Sequence, residues 1–174
     1  MQKQDTLKPV DLAVVLTLAI KPADPSPTYD QLGQLLGTSS STSFESVQRL
    51  QSAGLLRPES REPNRAVLMN FLEHGLRCTF PPSIGREVRG VPTAHAGPVL
   101  REFFGSAKPY VWPDLDGTVR GTGLAPLYAK APALAKREPE IYSILTLVDA
   151  LRVGEARERN LALDALRNCL GVAK

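Results

Sequence analysis

The segment from Thr28 to Leu56, TYDQLGQLLGTSSSTSFESVQRLQSAGLL, constrains this chain more than any other. Leu32, Leu35 and Leu36 stand at i, i+3 and i+4 and therefore share one face of a helix. A side-chain oxygen of Thr28 or Asp30 is placed to cap the open N–H groups of its first turn. Gly37 ends the helix, because glycine enters the left-handed conformation without a Cβ penalty. Gly33, between the leucines, leaves room for a neighbouring helix to approach. A second helix starts among the hydroxyls of Thr38–Ser41, carries Val47 and Leu50 on one face, and closes at Ala53-Gly54. Leu55 and Leu56 then run toward a core strand.

Two short helices about a tight turn are the layout of a helix-turn-helix, whose second helix can lie in the major groove of DNA. Thr28, Ser39, Ser40, Ser41, Thr42, Glu45, Gln48 and Arg49 are the residues of this motif expected to meet DNA, the last six turned away from the core by the second helix. Serine and threonine suit phosphates or base edges, glutamine pairs with adenine and arginine with guanine. Glu45 is repelled by phosphate unless it accepts from cytosine or pairs with Arg49 one turn later. Arg57, Arg61 and Arg65 recur every four residues in the polar segment that follows, where they can reach phosphates or a minor groove. Glu59 and Glu62 interleave with them and can neutralise them instead. The competing reading of the whole surface is a solvated helix face on a module that binds protein.

The residues Leu32, Leu36, Gly37, Ser39, Val47, Leu50, Gly54 and Leu55 resemble the winged helix-turn-helix of bacterial transcription regulators, broadly of the MarR-like kind. The resemblance extends over residues 8–76 if a preceding helix and a wing are included. It implies duplex DNA as partner and a homodimer reading two half-sites. Ser43 stands where such motifs bury Val or Ile, and Thr38 replaces an apolar turn residue; Phe44 is the candidate for the missing packing. Arg89–His95, Trp112–Gly121 and Leu147–Arg159 resemble phrases of uncharacterised bacterial winged-helix proteins, which implies architecture but no mechanism.

Around this segment the reading is mainly α within an α+β class. Pro9 opens a first helix that runs to Ile20, because the N–H that proline lacks is unpaired in a first turn anyway. Lys21–Pro27 holds three prolines and reads as a loop. Arg57–Asn64 fits a short wing between two strands, with Pro58 and Pro63 limiting strand pairing. Ala66–Leu76 reads as a fourth helix with Val67, Leu68, Phe71, Leu72 and Leu76 inward. Residues 1–80 thus form a winged helix-turn-helix domain. Residues 81–131 are Pro/Gly-rich and read as an irregular arm, with a small β-hairpin in which Tyr110–Trp112 and Thr118–Arg120 flank Asp114–Gly117. Val91, Leu100, Phe103, Phe104 and Trp112 are expected to pack that arm over the helices. Residues 132–174 form a helical segment that starts at Pro139 and is interrupted at Gly154.

A net charge of +3 suits a nucleic-acid partner, but residues 1–80 hold eight cationic and eight anionic side chains, so placement and not the sum must carry binding. The surplus, thirteen against ten, lies in residues 81–174, where it and Arg157–Arg159 suit an acidic protein partner as the alternative, such as that of an antitoxin or adaptor. No apolar run reaches the roughly 20 residues that span a bilayer, and the N-terminus lacks a signal-peptide layout, so a cytoplasmic location is expected. Cys78 and Cys169 have no metal or redox spacing, and His74 and His95 have no companion ligands in sequence. No catalytic residue, cofactor or metal is expected.

Overall fold

The computed structural model describes residues 6–22, 26–105 and 107–173. The chain divides into two compact units, Met1–Leu68 and Met69–Lys174. The boundary falls ahead of residue 80, and the expected arm and C-terminal helices belong to one unit.

In the first unit, α1 (Pro9–Ile20), α2 (Tyr29–Leu36) and α3 (Ser40–Ser52) pack on one another. Pro9 opens α1 as its missing donor allows. Of the loop expected over 21–27, residues 23–25 lie outside the described residues. Nine consecutive α1 residues, Asp11 to Ala19, are buried, so this helix forms the centre of the unit. Leu12, Leu16, Leu32, Leu36, Val47, Leu50, Leu55 and Leu56 make its core. The wing differs from expectation. Among the described residues it has no β-strand, only the single bridge Leu56↔Pro63. Pro58 and Pro63 donate no ladder hydrogen bond, and the backbone instead closes a turn through Arg57 N to Glu62 O (2.9 Å) and Asn64 N to Leu55 O (2.9 Å).

Asp11 is the one acidic group in the α1 core and is fully enclosed. Arg49 of α3 meets it with a two-pronged contact, Nε to Oδ2 and Nη2 to Oδ1, each 2.8 Å. Ser46 Oγ donates to Oδ1, and the Lys8 backbone N–H donates to Oδ2 at 2.7 Å. Every lone pair of the carboxylate is therefore answered, the condition under which a buried ion pair is tolerated.

Among the described residues the second unit contains the end of α4 (Arg65–Asn70), a π-helical turn (Phe71–Gly75), α5 (Leu76–Thr79), three strands and three further α-helices, the first of them the short α6 (Ala131–Ala135). The expected fourth helix forms and runs on through the π-helical turn to Thr79; Leu68, Leu72 and Leu76 are inward as expected, whereas Phe71 is only half-buried. Met69 also points inward, while Val67 is 40 % exposed. Beyond it, β1 (Ile84–Thr93), β2 (Tyr110–Pro113) and β3 (Val119–Leu124) close into a small barrel. This corrects both the irregular arm and the hairpin. The turn at Asp114–Gly117 forms, with Gly117 N bonded to Asp114 O at 3.0 Å, but β2 and β3 both run antiparallel to β1 and parallel to each other. Gly90 makes this possible, since it faces both Pro113 and Val119. A Cβ on Gly90 would lie 2.0 Å from Trp112 O, and one on Gly117 would lie 2.4 Å from Gly90 Cα.

α7 (Pro139–Val153) supplies the spine of this unit, buried continuously from Ile144 to Leu151, and α8 (Ala156–Leu170) packs on it after the expected break at Gly154. Asp149 ties α7 to the barrel. It accepts from Thr93 Oγ1 (2.8 Å), Trp112 Nε1 (2.5 Å) and Arg152 Nη1 (2.7 Å). Burial pushes the Asp149 carboxyl up, opposed by Arg152, Trp112 and Thr93. Leu100 and Trp112 are buried as expected, but Phe103 is 55 % exposed, because its short 3-10 turn (Arg101–Phe103) buries none of its residues.

Asp11→Ala strands the Arg49 guanidinium and is expected to destabilise the first unit by about 3–5 kcal/mol, read by urea unfolding followed by circular dichroism. Replacing both partners with apolar residues is expected to cost less. Gly90→Ala is expected to destabilise the second unit by at least about 3 kcal/mol, read by the fluorescence of Trp112, the chain's single tryptophan.

Candidate nucleic-acid interface

The α2–turn–α3 segment is built by caps at both starts. Thr28 and Gln31 cap reciprocally, with Gln31 N to Thr28 Oγ1 at 3.2 Å and Thr28 N to Gln31 Oε1 at 2.8 Å. Ser39 Oγ accepts from Thr42 N at 3.0 Å and exchanges a hydrogen bond with Thr42 Oγ1 at 2.8 Å. Between them Gly37 takes a left-handed conformation (φ 72°), and Thr38 N bonds to Gly33 O at 2.8 Å. A Cβ on Gly33 would meet Thr38 O at 2.8 Å, so the absent side chain is what lets α3 start against α2. Ser43 is buried where a larger apolar residue was expected, and its hydroxyl donates to Ser39 O at 3.1 Å.

Of the residues read from sequence as DNA-binding, Ser40, Ser41, Glu45 and Gln48 are exposed along one side of α3, with Ser52 below them. Residues 41, 45, 48 and 52 follow at helical spacing and form a continuous stripe. Thr28, Ser39 and Thr42 spend side-chain oxygens on caps, so they act first on helix geometry. The Arg49 expectation is corrected. It is 6 % exposed and faces α1, because the buried Asp11 carboxylate requires a charge partner that only α3 supplies. The hydrogen bonds it donates to Asp11 hold its pKa above the ordinary arginine value, against the opposing effect of burial. Glu45 reaches Arg49 Nη1 at 3.6 Å, which satisfies the pairing option given for it.

The wing arginines separate. Arg57 is exposed and pairs loosely with Glu62 at 3.6 Å, a surface contact of little energetic weight. Arg61 donates to Pro27 O at 2.6 Å and lies over the Tyr29 ring, 5.0 Å from its centroid. Arg65 opens α4 and is half-buried. A cleft of about 170 Å³ brings Arg61 and Arg65 together with Lys21, alongside Glu62.

Three features escaped the sequence reading. Phe44, expected to fill the core, is 47 % exposed and packs edge-on against Tyr29, ring centroids 5.3 Å apart. Asp11 was visible as the lone acid in an apolar helix, VDLAVVLTLAI, but its partner 38 residues away was not. His95 has a companion after all. Its Nε2 faces Lys108 O at 3.1 Å, and Glu158 Oε1 stands 2.8 Å from Nδ1 without the alignment of a hydrogen bond. His74 is exposed. Among the described residues no three His, Cys, Asp or Glu side chains gather as metal ligands, and no helix is long and apolar enough to cross a membrane.

The caps and the stripe separate cleanly by mutation. Ser39→Ala is expected to lower stability by about 1 kcal/mol, whereas Ser40→Ala and Gln48→Ala stay within about 0.5 kcal/mol of the parent, all by chemical denaturation. No family model matches the chain, and comparison with the curated proteins and with solved structures gives no match.

Proposed function

We propose that the first unit is a helix-turn-helix module that binds duplex DNA in the major groove through α3, acting in transcription regulation. The observation that carries this reading is the polar stripe of Ser41, Glu45, Gln48 and Ser52, exposed on a helix whose opposite side is fixed by a buried ion pair. A rigid helix with an outward set of hydrogen-bonding side chains is what base-edge readout needs. Gln48 is assigned to adenine, Glu45 to cytosine, and Ser40 and Ser41 at the helix start to phosphate or base edges. Arg57, Arg61 and Arg65 are assigned to phosphates. Two copies reading half-sites a helical turn apart would raise specificity above what one α3 supplies, so a homodimer is part of the proposal.

A second reading, a protein-docking module in the manner of an antitoxin or adaptor, is favoured by one observation. Glu45 is the only charged side chain that α3 exposes, since Arg49 is turned inward. A groove of phosphates would find no cation on the helix itself.

Selection of duplexes from a random-sequence pool decides between them. The DNA reading predicts enrichment of one motif and binding near ~10⁻⁸ M. With three arginines at phosphates, the logarithm of affinity should fall with that of salt at a slope near ~−3 per protomer, a shallow dependence for a DNA-binding protein. Gln48→Ala is expected to cost about 1–3 kcal/mol at one base pair and relax selection there. A pool that stays random after selection overturns the DNA reading in favour of the docking module.

A further inference from the structure

Phe44 is the one large apolar side chain that α3 leaves exposed. It lies three residues after Ser41 and four before Gln48, which places it beside the polar stripe and off the core face. A scattered exposed apolar residue is ordinary, but this one is braced. Its ring meets Tyr29 at an interplanar angle of 89°. Tyr29 is covered on its face by the Arg61 guanidinium, and Arg61 is anchored in turn on the Pro27 carbonyl. The phenyl ring is therefore held from behind and left open in front. A side chain fixed before binding loses little entropy on contact.

The other exposed α3 residues, Ser40, Ser41, Glu45, Gln48 and Ser52, are all polar. In the major groove the four base pairs differ in donors and acceptors and in one apolar feature, the 5-methyl group of thymine, against which phenylalanine is a suitable partner. We propose that Phe44 reads that methyl group, so that the DNA site carries a thymine next to the base read by Gln48. This inference rests on the DNA-binding reading above and adds a specificity determinant to it.

The test uses the full chain and the duplex recovered by selection, synthesised once with thymine and once with uracil in every thymine position. Uracil keeps the hydrogen-bonding groups and removes only the methyl. The parent protein is expected to bind the thymine duplex about four-fold more tightly, the effect of one buried methyl. Phe44→Ala is expected to bind the two duplexes equally, and Phe44→Leu to keep part of the difference; circular dichroism checks that both variants fold. Equal binding of both duplexes by the parent, with sequence selection intact, overturns the Phe44 assignment and leaves the DNA reading standing. Discrimination that persists in Phe44→Ala overturns it too, because another group then reads the methyl. Failure to select any duplex overturns both.

Discussion

The contact between Asp11 and Arg49 fixes what α3 can show to a partner. A carboxylate enclosed in the centre of α1 cannot remain unpaired, because the desolvation of an isolated charge exceeds anything the surrounding apolar packing returns. Arg49 answers it with two parallel hydrogen bonds, and Ser46 fills a remaining position. Geometry of this kind sets rotation as well as distance, since a planar guanidinium meets both carboxylate oxygens in one orientation only. With Ser46 and Arg49 held on Asp11, residues 43, 46, 47 and 50 are committed inward, and the side opposite them, residues 41, 45, 48 and 52, is committed outward. Phe44 falls on the flank of this stripe away from Arg49 and is stabilised there by Tyr29 and Arg61.

The second unit uses the same device on a different scaffold. Asp149 is as deeply buried as Asp11, and it joins α7 to β1 and β2 through Thr93 and Trp112 while Arg152 supplies the countercharge. Arg152 continues to the backbone carbonyls of Phe80 and Pro81, so the same side chain also holds the lead-in to β1. The barrel it anchors is very small, and it closes only because Gly90 and Gly117 remove the side chains that would otherwise meet at the crossing.

Local signals in the sequence were the reliable ones. Pro9, Gly37 and Gly154 each mark a helix end through the backbone groups of a few neighbouring residues, and each marks it where the structure has it, while the open choices of Thr28 or Asp30 and of Thr38–Ser41 resolve to caps at Thr28 and Ser39. The long-range features were illegible for a physical reason. β1 reads IGREVRGVPT, without apolar alternation, because half of it is exposed, and its two partners are defined by a glycine crossing rather than by a hydrophobic pattern. On α3, Ser40, Ser41 and Gln48 are exposed, the direction that helical periodicity predicts for them. Arg49 is not, because its direction is set by a residue 38 positions earlier. Leu68, Leu72 and Leu76 kept their expected inward face through the π-helical turn at Phe71–Gly75, while Val67, ahead of that turn, did not.

The central claim is that the outward side of α3, with the segment after it, is a DNA-reading surface. Titration of the isotopically labelled chain with a selected duplex, followed by amide chemical shifts, tests it most directly. Shifts concentrated at residues 28–29, 39–48 and 57–65 are expected. Shifts confined to the unit from Met69 onward, or none at saturating duplex, would contradict it.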